Sequence, residues 1–169
     1  MDNKFNENLI VSPAPHFVTN ENTTRIMGTV ILALLPALVV AAYDFGYRAV
    51  TLTLVCVVAC VGFEYLFNLV AKKPQTVGDL SAALTGLLLA YNLPSNLSYI
   101  IAIIGCFIAI VVVKGMFGGL GQNFANPAIT ARVVLLVSFT SAMTLWPVPR
   151  MYRTADAITG PTPLGVLAE

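Results

Sequence analysis

Near the C-terminus, D-A-I-T-G-P-T-P-L (residues 156–164) places two threonine hydroxyls, Thr159 and Thr162, beside Asp156 in a stretch that cannot be regular. Gly160, Pro161 and Pro163 hold it out of helix or strand. Read alone it is a polar turn that exposes a weak oxygen nucleophile, which needs an external base to react. Just upstream stand Arg150 and Arg153. They are either solvated loop charges or partners for a phosphate, the group arginine binds through paired hydrogen bonds.

Two further stretches could carry chemistry. M-F-G-G-L-G-Q-N-F-A-N-P-A (residues 116–128) combines three glycines with Asn123 and Asn126 directly before a helix start. Asn as cap and Pro127 at the first helical position are a proper N-terminus. Irregular backbone at membrane depth survives only where protein buries it or it lines a cavity, and Asn amides offer both donor and acceptor to a planar polar ligand. The other reading is a plain glycine-rich loop between spans. Glu64 and Arg132 are ionisable residues inside apolar runs, which costs roughly 2.5–3.5 kcal/mol at a helix centre and marks a functional position by default. Both also lie close enough to a segment end to snorkel to the interface. A part for Glu64 in cation passage is one expectation.

The elements that position these residues are apolar. The chain has 169 residues, 57% hydrophobic and 10% charged, with a mean hydropathy of +0.83; soluble domains carry about 25% charged residues. This composition predicts an integral membrane protein. A net charge of +1 provides no basic field for nucleic acid. Cys56 and Cys60, one turn apart, and Cys106 read as small buried side chains, not metal ligands, and His16 reads as a tail residue; no metal site is expected. Five apolar segments are predicted: 26–43, 49–71, 80–93, 97–113 and 128–146. Four have the roughly 17–25 residues a span needs. The third, opened by Asp79 as cap and closed at Asn92-Leu93-Pro94, is read as a short span, with a re-entrant segment as the alternative. With residues 1–25 as a retained cytoplasmic tail and five crossings through 26–146, Lys4, Arg25, Lys72, Lys73 and Lys114 all fall inside. Residues 147–169, with Thr162, then form an extracytoplasmic loop.

Three stretches in order resemble one family: S-P-A-P-H (residues 12–16), K-P-Q-T-V-G-D-L-S-A-A-L-T-G-L-L-L-A-Y-N-L-P (residues 73–94), and G-G-L-G-Q-N-F-A-N-P-A followed by D-A-I-T-G-P-T-P-L. The chain resembles the D subunit of the Rnf electron-transport complex, which is similar to the B subunit of the sodium-pumping NADH:quinone oxidoreductase. The resemblance implies an all-α, polytopic helical bundle of urea-transporter type, of which this chain, with about five transmembrane segments, is one half. Family members continue into further spans after this motif. It implies covalent FMN, held by a phosphoester on Thr162 within Asp156, Thr159, Gly160 and Thr162 and installed by a flavin transferase; Pro161 stands where alanine is usual. It implies riboflavin near Asn123 and Asn126. The function implied is that of a subunit, inactive alone, of a ferredoxin:NAD oxidoreductase in the bacterial inner membrane, coupled to Na+ or H+ transport with other Rnf subunits as partners and no catalytic residue of its own. Two other classes remain: a water or solute channel, since Asn126-Pro127-Ala128 resembles the motif of water channels, and a cofactor-free scaffold subunit.

Overall fold

The computed structural model describes residues 22–149 other than Phe124. Its helices are α1 (Thr23–Phe45), α2 (Tyr47–Val70), α3 (Ser81–Tyr91), α4 (Tyr99–Phe107), α5 (Pro127–Ser138) and α6 (Thr140–Thr144). A short 3-10 turn, Val77–Asp79, precedes α3, and α4 runs on into a π-helical segment, Ile108–Gly115. The fold is all-helical among the described residues.

Uninterrupted apolar sequence makes α1 and α2 the longest helices, 23 and 24 residues. At 1.5 Å per residue each is about 35 Å long, more than the ~30 Å of bilayer hydrocarbon. They are joined through Gly46 alone, whose φ of 78° and N–H bond to the Ala42 carbonyl end α1 and reverse the chain. Glycine reaches that backbone region at no steric cost.

The third segment is shorter than expected as a helix. Leu80, at φ 63°, occupies the cap position, and the helix holds only 11 residues from Ser81. Asp79 still caps from one residue further back, its carboxylate accepting the Ser81 N–H at 2.9 Å. At the entry, Asn68 Nδ2 donates to Thr76 Oγ1 at 3.0 Å, and at the exit Arg48 Nη2 donates to the Asn96 carbonyl at 3.4 Å. Arg48 and Asn68 lie about 30 Å apart along α2. The segment therefore travels from one end of α2 to the other and does not turn back.

The expected fifth helix is broken in two. α5 stops at Ser138 and α6 starts at Thr140, with Phe139 at φ −132°, ψ 51° between them. Thr140 Oγ1 donates to the Leu136 carbonyl at 2.8 Å, and such hydroxyl bonds compete with the helical ladder.

The core lies where α2, α3, α4 and α5 meet: Leu52, Cys56, Cys60, Leu89, Ala102, Cys106, Ile110 and Leu135 are all buried. Small residues let the helix backbones approach closely, the usual solution where lipid offers no hydrophobic drive. The three cysteines are free and buried, as expected, with the Cys106 thiol directed at the Cys56 carbonyl. No residue of α1 is buried.

Candidate functional site

Both helices that build the polar site do so by continuing an apolar stripe. Along α2 the buried face runs Cys56, Cys60, Glu64, Asn68, every fourth residue. Along α4 and the π-helical segment it runs Ala102, Gly105, Cys106, Ala109, Ile110, Val113, Lys114. One helix thus carries a carboxylate into the core and the other an ammonium. Lys114 Nζ lies 2.6 Å from Glu64 Oε1, with the two side chains only 6% and 5% exposed.

Four more residues complete the network. Lys114 Nζ also donates to Ser81 Oγ at 2.6 Å, and the Ser81 hydroxyl donates to Asp79 Oδ1. Thr76 Oγ1 donates to Glu64 Oε1 at 2.8 Å while accepting from Asn68. Glu64 Oε2 is buried with no hydrogen-bond partner among the described residues. Glu64, Asn68, Thr76, Asp79 and Lys114 line a cavity of about 330 Å³ together with Gly118 and Gly119. Burying an ion pair is favourable only when its remaining polar atoms are satisfied. Here one carboxylate oxygen is left over.

Glu64 therefore does not snorkel toward Lys72, as its position allowed; its charge is answered by Lys114 across the bundle. Lys114 in turn is no interfacial marker, and one basic residue leaves the count that oriented the chain. Arg25, Lys72 and Lys73 remain at that end. Arg132 does not reach for the start of its own helix either. Its guanidinium donates to Asn92 Oδ1 at 3.0 Å, and Asn92 Nδ2 bonds the Leu88 carbonyl. A cation is thereby held at the C-terminal end of α3, where the helix dipole favours positive charge.

The glycine–asparagine break adjoins this site. Gly118, Gly119 and Gly121 all have positive φ, and a Cβ at Gly119 or Gly121 would meet no atom within 4 Å. The Gly119 N–H bonds the Lys114 carbonyl at 2.9 Å. Asn123, with its amide oriented to satisfy both groups, donates to the Gly119 and Val113 carbonyls at 3.1 and 3.3 Å. Asn126 Oδ1 accepts the Ala128 N–H at 3.0 Å and caps α5. Asn126→Ala is expected to destabilise the chain by about 1 kcal/mol, the usual value of such a cap, read as a lowered thermal midpoint that Asn126→Ser restores.

Asp156, Thr159, Gly160 and Thr162, with Arg150 and Arg153, lie outside the described residues. Sequence pattern alone does not join Lys114, Ser81, Asp79, Thr76 and Asn68 to Glu64 as one site. The four-residue spacing from Cys60 to Glu64 to Asn68, and the stripe leading to Lys114, are the signals that point to it.

The model of the NQR2, RnfD, RnfE family matches residues 10–169. The chain belongs to that family. It is 47% identical over 160 residues to the D subunit of the Na(+)-translocating ferredoxin:NAD(+) oxidoreductase complex of Acetobacterium woodii, covering 95% of this chain and 49% of that protein. To the D subunit of the proton-translocating ferredoxin:NAD(+) oxidoreductase complex of Clostridium ljungdahlii it is 43% identical over 157 residues, covering 93% and 47%. To the D subunit of the ion-translocating oxidoreductase complex of Mannheimia succiniciproducens it is 41% identical over 141 residues, covering 82% and 40%. The chain spans about half the length, or less, of these relatives. Apolar helices and family membership together make it a multi-pass membrane chain.

Proposed function

We propose that this chain is part of a membrane subunit of an ion-translocating ferredoxin:NAD oxidoreductase complex. The observation that carries this is 47% identity, over 95% of the chain, to a relative named as such a subunit. In this reading the chain works only with the other subunits of the complex, in the bacterial inner membrane. It forms half of a urea-transporter-like bundle with five crossings. The passage of residues 76–96 along the whole of α2 supports a crossing third segment. Arg25, Lys72 and Lys73 at one end support a cytoplasmic tail, which leaves the Thr162 loop on the extracytoplasmic side.

FMN is attached through a phosphoester to Thr162 by a flavin transferase, with Asp156, Thr159 and Gly160 as the surrounding motif and Arg150 and Arg153 near the phosphate. Riboflavin is held at the glycine–asparagine break. The residues there fit a planar polar ligand. The Asn126 oxygen is used by its own helix and the Asn123 nitrogen by two carbonyls, which leaves one amide donor and one amide acceptor beside open glycine backbone. When bound, flavins support one-electron steps, while the protein supplies position and electronics. Glu64 belongs to the path of the transported Na+ or H+.

The test is in-gel flavin fluorescence after denaturation, on the complex co-expressed with a transferase. Wild type is expected to give a fluorescent band at this subunit, and Thr162→Ala a dark one. A Thr162→Ala band as bright as wild type rejects the attachment site.

A further inference from the structure

We infer that Lys114 is a tethered counter-cation that the transported ion must displace from Glu64, so that the cavity beside them is an ion-loading site with a built-in competitor. The inference rests on the translocase reading above and adds to it a residue and a mechanism of loading.

Four observations carry it. The first is charge. Around the cavity stand two carboxylates, Glu64 from α2 and Asp79 from the turn before α3, and one buried ammonium, Lys114 from the π-helical segment. Lys73 lines the same cavity from an exposed loop, 5.5 Å from the centre of the Phe67 ring. The buried pair Glu64 and Lys114 is neutral; the half-buried Asp79 adds one negative charge, which either the exposed Lys73 or a monovalent cation balances.

The second is Glu64 Oε2, unpartnered among the described residues, in a residue only 4% exposed that lines the cavity. A buried carboxylate oxygen without a partner carries the full cost of desolvation. An arriving cation relieves it. The third is ligand chemistry: carboxylate, hydroxyl and amide oxygens from Glu64, Asp79, Thr76 and Asn68 are hard donors of the kind that suit a small hard cation.

The fourth is what Lys114 does when displaced. Its ammonium already bonds the Ser81 hydroxyl, so it can leave Glu64 without losing every partner. Its carbonyl bonds the Gly119 N–H, and Asn123 holds the Gly119 and Val113 carbonyls. Movement of Lys114 is thereby linked to the glycine–asparagine break. The exchange needs no new contact within the protein: one cation leaves a carboxylate oxygen as another arrives.

The competition has a sign that a merely structural lysine does not share. Removing the tethered cation must strengthen binding of the mobile one. An opposite charge within ~4–6 Å changes a carboxylate's affinity for a proton by roughly tenfold to a thousandfold, and the same electrostatics act on Na+. The purified, assembled complex is titrated with NaCl against choline chloride at constant ionic strength. In a second arm it is titrated with pH in the absence of Na+. The readout is the thermal-unfolding midpoint, which rises when the native state binds a ligand and needs no redox activity.

In Lys114→Met the half-saturating Na+ concentration is expected to fall by at least about tenfold. For a proton site, the half-effect instead moves up by about one pH unit or more. Lys114→Arg, which keeps the charge, is expected to stay near wild type. The double variant Glu64→Gln, Lys114→Met removes both buried charges and is expected to lose the saturable effect altogether. It decides the question where the single variant fails to assemble. Unchanged or weakened cation binding in Lys114→Met overturns the inference, as does a double variant that responds like wild type. Flavin fluorescence at Thr162, read on the same preparations, fails or succeeds independently.

Discussion

Glu64→Leu is expected to cost the assembled protein about 3–5 kcal/mol, the range seen when one partner of a buried ion pair is removed. Most of that loss comes from what remains behind. Lys114 is 5% exposed, and without Glu64 its ammonium retains only the Ser81 hydroxyl as a hydrogen-bond partner among the described residues. Thr76 Oγ1 also loses its acceptor. The double variant Glu64→Leu, Lys114→Met removes the orphaned charge along with the pair, and apolar replacement of a buried pair is often neutral or better. It is therefore expected to be more stable than Glu64→Leu alone. Thermal midpoints of the two single variants and the double, compared as a cycle, check this. Losses that simply add would show that the two side chains do not act as a pair.

Gly86→Leu is expected to break the packing of α3 on α2. A Cβ at Gly86 would lie 2.8 Å from the Cys56 carbonyl oxygen and 2.8 Å from the Val57 Cα. Both are backbone atoms of a packed helix, so neither can swing aside as a side-chain tip would. Overpacking of this kind costs about 1–3 kcal/mol for modest insertions, and leucine adds three more carbons in the same direction. The control is Gly62→Ala, in α2, where an added Cβ meets nothing within 4 Å. There the better helix propensity of alanine, by about 1 kcal/mol, leaves stability unchanged or raised. Complex yield and thermal midpoint separate the two variants. Equal behaviour would mean that the α2–α3 contact is not close-packed.

Much of the architecture can be read from hydropathy. α1 and α2 lie within three residues of their expected ends because long apolar runs admit only one structure in lipid. The π-helical continuation of α4 and the break at Phe139 cannot be read so. Both depend on which backbone carbonyls a turn or a threonine hydroxyl takes, and hydropathy is blind to that. Glu64 stands out in the sequence as an ionisable residue in an apolar run. Its partner does not, because Lys114 stands at the end of such a run, where a lysine ordinarily snorkels. Only the three-and-four spacing from Ala102 onward shows that the lysine falls on the buried face. Asn126 is legible as a cap because capping is local; the bond from Arg132 to Asn92, forty residues apart, is not.

The stripe on α2 changes character along its length, and this has a consequence for insulation. From Asn68 and Glu64 it passes to Cys60, Cys56 and Leu52, all buried, with Cys106 and Leu89 packed into the same core. Glu64 and Cys56 are about 12 Å apart along the helix, and the core side chains over that interval are sulfur and hydrocarbon. The polar vestibule therefore ends against a dry septum. In the translocase reading proposed above, such a septum would prevent a short circuit, because an ion at Glu64 would have no polar route onward until the helices rearranged.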